Sequence, residues 1–164
     1  MASDLKKQHD LEKLYATLPT IECKGECHSA CGPIGMTDVE WRRIFKRTGR
    51  EPTTLVEEHD GKITDLRCSL LTENLKCSIY SIRPMVCRLW GLVDALKCPW
   101  GCVPDPGWLD YREGQLLLLA AEEISTDDPE ELNLLELTRQ RILAMSDEEM
   151  ARVSAMFTVP PVKQ

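Results

Sequence analysis

All eight cysteines of this 164-residue chain fall between residues 23 and 102. Thiols gathered this densely are normally bridged to one another or to a metal, and which of the two holds decides what the segment can fold into. They read Cys23-x3-Cys27-x3-Cys31, then Cys68, Cys77 and Cys87 at long, unequal gaps, then Cys98-x3-Cys102. A tetrahedral metal site takes four thiolates, or thiolates mixed with imidazole, so the set suffices for one site with spare thiols or for two sites. The Cys23/Cys27 and Cys98/Cys102 spacings lie within the range of paired zinc ligands. The wide gaps around Cys31, Cys68, Cys77 and Cys87 do not match a two-knuckle zinc ribbon and are compatible with an iron–sulfur cluster gathered from several loops. Spacing alone leaves Zn²⁺ and an iron–sulfur cluster, such as a four-iron one, both open.

The compartment bears on that choice. The start, Met1-Ala2-Ser3-Asp4-Leu5-Lys6-Lys7, has no apolar run of the secretory kind. The longest strongly apolar stretch, Leu116 to Ala121, is far too short to span a bilayer. The expectation is a cytoplasmic protein with no membrane contact, where structural disulfides are uncommon and clustered thiols favour metal. Disulfides and unpaired redox thiols are the alternatives. A net charge of −7 argues against a general grip on nucleic acid. The 43% hydrophobic content is ordinary for a globular chain, and the length suits a single domain over residues 1–164.

Along the chain, residues 3–17 read as a polar amphipathic helix with Leu5, Leu11, Leu14 and Tyr15 as buried candidates, limited by Pro19. A cysteine-bearing loop runs on to Met36. Thr37-x-x-Glu40 has the form of a capping box, predicting a helix from there to Gly49 with Trp41, Ile44, Phe45 and Thr48 on one face. Residues 63–80 suggest two short extended segments around the turn-prone Thr72-Glu73-Asn74, setting Cys68 and Cys77 on facing arms. Pro84 suits the first turn of a short helix carrying Cys87. Prolines and glycines make residues 98–108 a loop. Residues 108–124, 129–145 and 146–157 read as three helices, with starts marked by Asp128-Pro129 and Ser146-x-x-Glu149 and with stripes (Leu117, Ala120, Ile124; Leu135, Ile142, Met145; Met150, Val153, Phe157) assigned to the core. The tail beyond Pro160 is expected to pack loosely. The fold class is therefore mainly α: an irregular cysteine-rich metal-binding subdomain over 20–102, then a helical half over 108–157.

Four thiolates around Zn²⁺, or around an oxidised four-iron cluster, leave about two net negative charges, which in a partly dry site call for cations or N–H donors. Arg67, Lys76, Arg83, Arg88 and Lys97 each lie within four residues of a cysteine. Trp90 and Trp100 can cover such a site or serve as plain core aromatics.

The phrase Cys68-x-Leu70-Leu71…Cys77-Ser78-Ile79-Tyr80-x-x-Arg83-Pro84-x-x-Cys87-Arg88 resembles the hallmark of the YkgJ-like cysteine-cluster proteins, also called the CxxCxxCC or zinc- or iron-chelating domain. The upstream run from Cys23 to Gly32 is similar to the family's first block, with Ala30 where its doubled cysteine would begin. The resemblance implies metal ligation by Cys23, Cys27, Cys31, Cys68, Cys77 and Cys87, with Cys98 and Cys102, or His28, completing the set. It also brings in the flagellin lysine methylases, relatives whose cysteines hold an iron–sulfur cluster.

Two kinds of function follow. One is a metal-binding protein, structural or regulatory through a protein partner, with no catalytic residue to name. The other is an iron–sulfur redox or methyltransferase-related enzyme. Against the second, the chain is short, there is no glycine-rich nucleotide loop, and the Cys-x3-Cys-x3-Cys run has the wrong last gap for radical-SAM chemistry; a third reading, a thiol oxidoreductase, lacks a Cys-x-x-Cys in a βαβ setting.

Overall fold

The computed structural model describes residues 2–32, 35–59 and 62–157; the tail beyond Pro160 lies outside them. The chain is mainly α, with six α-helices and two β-pairs among the described residues. Helix α1 (Ala2–Ala16) leads into a two-residue strand β1 (Thr20–Ile21) and a 3-10 turn over Cys27–Ala30. Helix α2 (Asp38–Thr48) follows, then the hairpin β2 (Thr54–His59) and β3 (Lys62–Cys68). The short α3 (Met85–Leu89) and β4 (Pro104–Asp105) complete the cysteine-bearing half, before α4 (Tyr111–Ser125), α5 (Pro129–Ala144) and α6 (Asp147–Ala155).

The helix starts are where the sequence placed capping residues. Thr37 accepts from the Glu40 N–H while the Glu40 carboxylate accepts from the Thr37 N–H, and Gly49 ends α2 at φ 66°, a left-handed conformation that glycine adopts without a Cβ clash. Ser146 and Glu149 form a second such box, and Asp128 caps α5 ahead of Pro129. Asp110 and Glu113 form a third at α4, three residues beyond the expected start.

Two buried clusters hold the fold. The first joins Leu11 of α1, Val39 of α2, Met85 and Leu89 of α3, and Ala121 of α4 with Val93 and Ala95 of the segment after α3. The second joins Ile44 of α2 to Cys68, Leu70 and Ile79, with Cys31, Met36, Leu71, Cys77 and Ile82 packed against it.

Several expectations need correction. Leu5 is exposed, as is Phe157, which stacks on Tyr111 at a centroid distance of 5.8 Å. In α4 it is Ala121, one position on from Ala120, that is fully buried. Helix α5 buries no residue, because it rests chiefly on α4 at the edge of the molecule. The extended region starts earlier than residue 63: β3 pairs back with β2, setting Thr54 opposite Cys68. Beyond it, the two arms around Thr72 form no ladder of strands but meet at an antiparallel bridge between Leu71 and Cys77, with backbone bonds to either side of it.

Candidate metal centre

The cysteines are brought together by backbone pairing between segments far apart in sequence. The Cys68 N–H donates to the Cys31 carbonyl at 2.8 Å, fastening the first cysteine run to the end of β3. The Leu71–Cys77 bridge and the Ser78 N–H donating to the Leu70 carbonyl at 3.0 Å fold Cys77 back over Cys68. Strand β1 pairs with β4, Ile21 opposite Pro104, and Lys24 Nζ donates to the Trp100 carbonyl at 2.9 Å. Continuing that antiparallel register carries Cys23 toward Cys102.

Cys87 arrives on α3, and Glu40 fixes where α3 begins. This buried carboxylate, 3% exposed, accepts from Tyr15 Oη at 2.6 Å, from the Met85 N–H at 2.6 Å and from the Thr37 N–H at 2.9 Å. One charged side chain thus caps α2, grips α1 and sits at the positive N-terminal end of α3, where a carboxylate is favoured. Pro84 precedes Met85 as the cap residue, in line with its expected place at the start of this helix. After α3 the chain turns at Gly91, φ 86°; a Cβ there would lie 3.2 Å from Ile21 Cδ1 and 3.6 Å from Cys98 Cβ. Glycine at this point lets the strand of Ile21 and the loop of Cys98 approach the α3 turn.

Three thiols sit in turns whose own backbone faces the sulfur. The Gly25 N–H donates to Cys23 Sγ at 3.3 Å, and the Leu70 N–H to Cys68 Sγ at 3.5 Å. Hydrogen bonding from the Ile79 backbone likewise acts on Cys77. In each case the N–H belongs to the second residue after the cysteine, a position from which backbone can donate to a metal-bound sulfur.

The mutual influence of the thiols shows which are neighbours. All eight are free cysteines. A hydrogen bond from Cys31 holds Cys27 down at about 6, helped by the Arg83 guanidinium and by Cys23 against the opposing cost of burial. The Cys31 thiol is correspondingly pushed up, by its bond to Cys27, by burial, and by the charges of Cys27, Cys68 and Cys77. Burial raises Cys77, and raises Cys87 to about 12; in both, Arg83 opposes the rise while neighbouring cysteines add to it. Cys102 is raised by burial, against a hydrogen bond from the Lys24 backbone, and interacts with Cys98 and Cys23. Cys27, Cys31, Cys68, Cys77 and Cys87 therefore interact as one set, with Arg83 acting on Cys27, Cys77 and Cys87, while Cys23 interacts both with Cys27 and with Cys102. Among the described residues, no three His, Cys, Asp or Glu side chains stand as a ready metal site; the sulfurs are gathered without being closed on a common centre. No described interaction ties the His28 imidazole to a thiol.

Of the five cations near the cysteines, Arg83 is the one whose charge acts on Cys27, Cys77 and Cys87. Its Cζ lies 3.9 Å from the centre of the Tyr80 ring. Lys76 pairs with Glu26 at 3.2 Å, and Lys97 lies over Trp108 at 4.6 Å. Arg88 stacks on Tyr15 at 4.0 Å and donates to the Arg83 and Ser81 carbonyls at 2.7 and 2.9 Å. Arg88 thereby shapes the loop that presents Arg83.

Arg83 and Trp90 also line a small cavity, of about 10 Å³, with Ile21, Cys23, Cys27, Tyr80, Gly91 and Cys98. Arg83 Nε and Trp90 Nε1 are buried donors with no hydrogen-bond acceptor. Two orphaned donors beside three thiols form a wall suited to an anionic, sulfur-rich group, and this is the fit that a thiolate-bound metal requires. Ile21, Gly91 and the N–H groups of Gly25, Leu70 and Ile79 were not singled out from the sequence; the Cys23-Lys24-Gly25 turn glycine was the one available signal.

The family profile titled "Putative zinc- or iron-chelating domain", CxxCxxCC, matches residues 22–103 of this chain. Neither a curated protein nor a solved structure matches it. The match spans half of the chain and covers all eight cysteines, and the chain belongs to this family.

Proposed function

We propose that this member of the zinc- or iron-chelating family is a metalloprotein whose site orders the segment from Cys23 to Cys102 and which acts through contacts with a protein partner rather than by turnover. Cys27, Cys31, Cys68, Cys77 and Cys87 would hold the metal in the neighbourhood of Arg83, with Cys23, Cys98 and Cys102 beside it as further ligands. The observation that carries the reading is the cavity wall, where two residues with buried N–H donors lacking acceptors stand with Cys23, Cys27 and Cys98.

Bound Zn²⁺ would supply a cross-link between loops, and a bound iron–sulfur cluster would add one-electron transfer. The chain's own residues do the rest. Arg83 and Trp90 would offer their unpartnered N–H groups to a sulfur-bound group in the cavity that they line with Ile21, and Tyr80 stacks on Arg83. Burial makes the Cys77 and Cys87 sulfurs hard to ionise. One guanidinium cannot offset several thiolates, whereas a cation held among them deprotonates its ligands outright. A fully thiolate-coordinated site leaves no open position for substrate, which supports a structural or regulatory role.

The test is the absorbance and voltammetry of protein purified without oxygen. The proposal expects a fully coordinated metal that is redox-silent: stoichiometric zinc, or a cluster with broad absorbance near about 400 nm that does not exchange electrons with a partner. A cluster that cycles reversibly and passes electrons at a useful rate would overturn the structural reading in favour of a redox one.

A further inference from the structure

Helix α5 carries a surface that its own chain leaves bare. Leu134 and Leu137 are 63% and 54% exposed, on a helix that rests on the rest of the molecule chiefly through α4. Glu130 lies four residues before Leu134, and Arg141 four residues after Leu137. At 3.6 residues per turn these four positions fall within an arc of about 60° on one helix face. Both charged residues are exposed, and among the described residues no ion pair engages either, although Arg139, Glu123, Glu136 and Arg112 nearby are all paired.

The pattern Glu-x3-Leu-x2-Leu-x3-Arg has the same spacing read from either end, with opposite charges at its two ends. We infer that this face of α5 docks against the same face of a second copy of the chain, the two helices running antiparallel about a two-fold axis between Leu135 and Glu136. That register sets each Leu134 against the partner copy's Leu137 and each Glu130 against the partner copy's Arg141. A two-fold interface requires this kind of self-complementarity. The helix dipole accounts for the signs of the end charges, but not for two bare leucines placed symmetrically between them. The contact is one helix face, smaller than a permanent interface, so association is concentration-dependent.

The experiment is sedimentation velocity on the 164-residue, metal-loaded protein from about 5 to about 500 µM, a span suited to an interface of this size. Wild type should shift from monomer to dimer across it, and L134E/L137E should stay monomeric. These leucines are exposed, so that variant should melt as wild type does at low concentration. E130R and R141E each replace two attractive pairs with two repulsive ones and should each weaken the dimer by about tenfold or more. The double swap E130R/R141E restores both pairs in reverse and should recover most of the wild-type association. A wild type that is monomeric throughout would overturn the inference. So would a dimer that L134E/L137E leaves intact, or a double swap no better than the single ones.

Discussion

Arg83 is the cation that Cys27, Cys77 and Cys87 share, and its position explains why nearness in sequence was a weak guide. Lys76, Arg88 and Lys97 are just as close to cysteines along the chain, yet they turn to Glu26, to Tyr15 and to Trp108. Chain separation fixes how far a side chain can reach but not which way it points. Arg83→Gln removes the positive charge facing the sulfurs and should lower metal affinity by about 10- to 100-fold in competition with a chelator. Unchanged affinity would take Arg83 out of the account. A second residue-scale effect lies away from the centre. Glu122 is raised above the usual carboxylate range by burial and by the charges of Glu40, Glu131 and Asp38. A carboxyl raised on folding costs stability when ionised, fully above its folded pKa and not at all below its unfolded value of about 4.3. Glu122→Gln should therefore raise the melting temperature at pH 7 and leave it unchanged below about pH 4.

Among the elements, those whose ends carry their own chemistry were legible from residues alone. The boxes at Thr37/Glu40 and Ser146/Glu149, and Pro129 after Asp128, set helix starts through local hydrogen bonds, and local bonds can be read from sequence. The hairpin β2–β3 was not legible at its first strand, because its pairing partner lies beyond a turn and nothing local announces it. Glu40 shows the same limit from the other side. Its capping role was visible, but its grip on Tyr15 and on the first N–H of α3 depends on tertiary contact. Close packing of α4 rests on Gly114, where a Cβ would lie 2.8 Å from Val93 Cγ2. Alanine gains about 1 kcal/mol in helix propensity. Overpacking costs about 1–3 kcal/mol, and Val93 is buried, β-branched and unable to swing aside. The clash should win, and Gly114→Ala should lower stability to chemical denaturation by about 1 kcal/mol. A stabilised variant would show that Val93 yields.

At the scale of the whole molecule, the two buried clusters divide the work. The one joining α1, α2, α3 and α4 contains no cysteine, whereas the other has Cys68 among its four buried residues and Cys31 and Cys77 packed on it. Three of the thiols are thus part of a small core, and a bound metal would couple to folding there on the order of 10 kcal/mol. The mainly α class and the division into a cysteine-rich segment and a helical half followed from patterning. Which thiols neighbour which did not, since it depends on the Cys31–Cys68 and β1–β4 pairings. The most direct test of the central claim is zinc and iron content per chain in protein purified without oxygen, for wild type and for Cys77→Ser and Cys87→Ser. Stoichiometric metal in wild type, lost or strongly reduced in both variants together with a lower melting temperature, is the predicted result. Wild-type protein free of zinc and iron, or variants that keep its full metal content and melting behaviour, would contradict it.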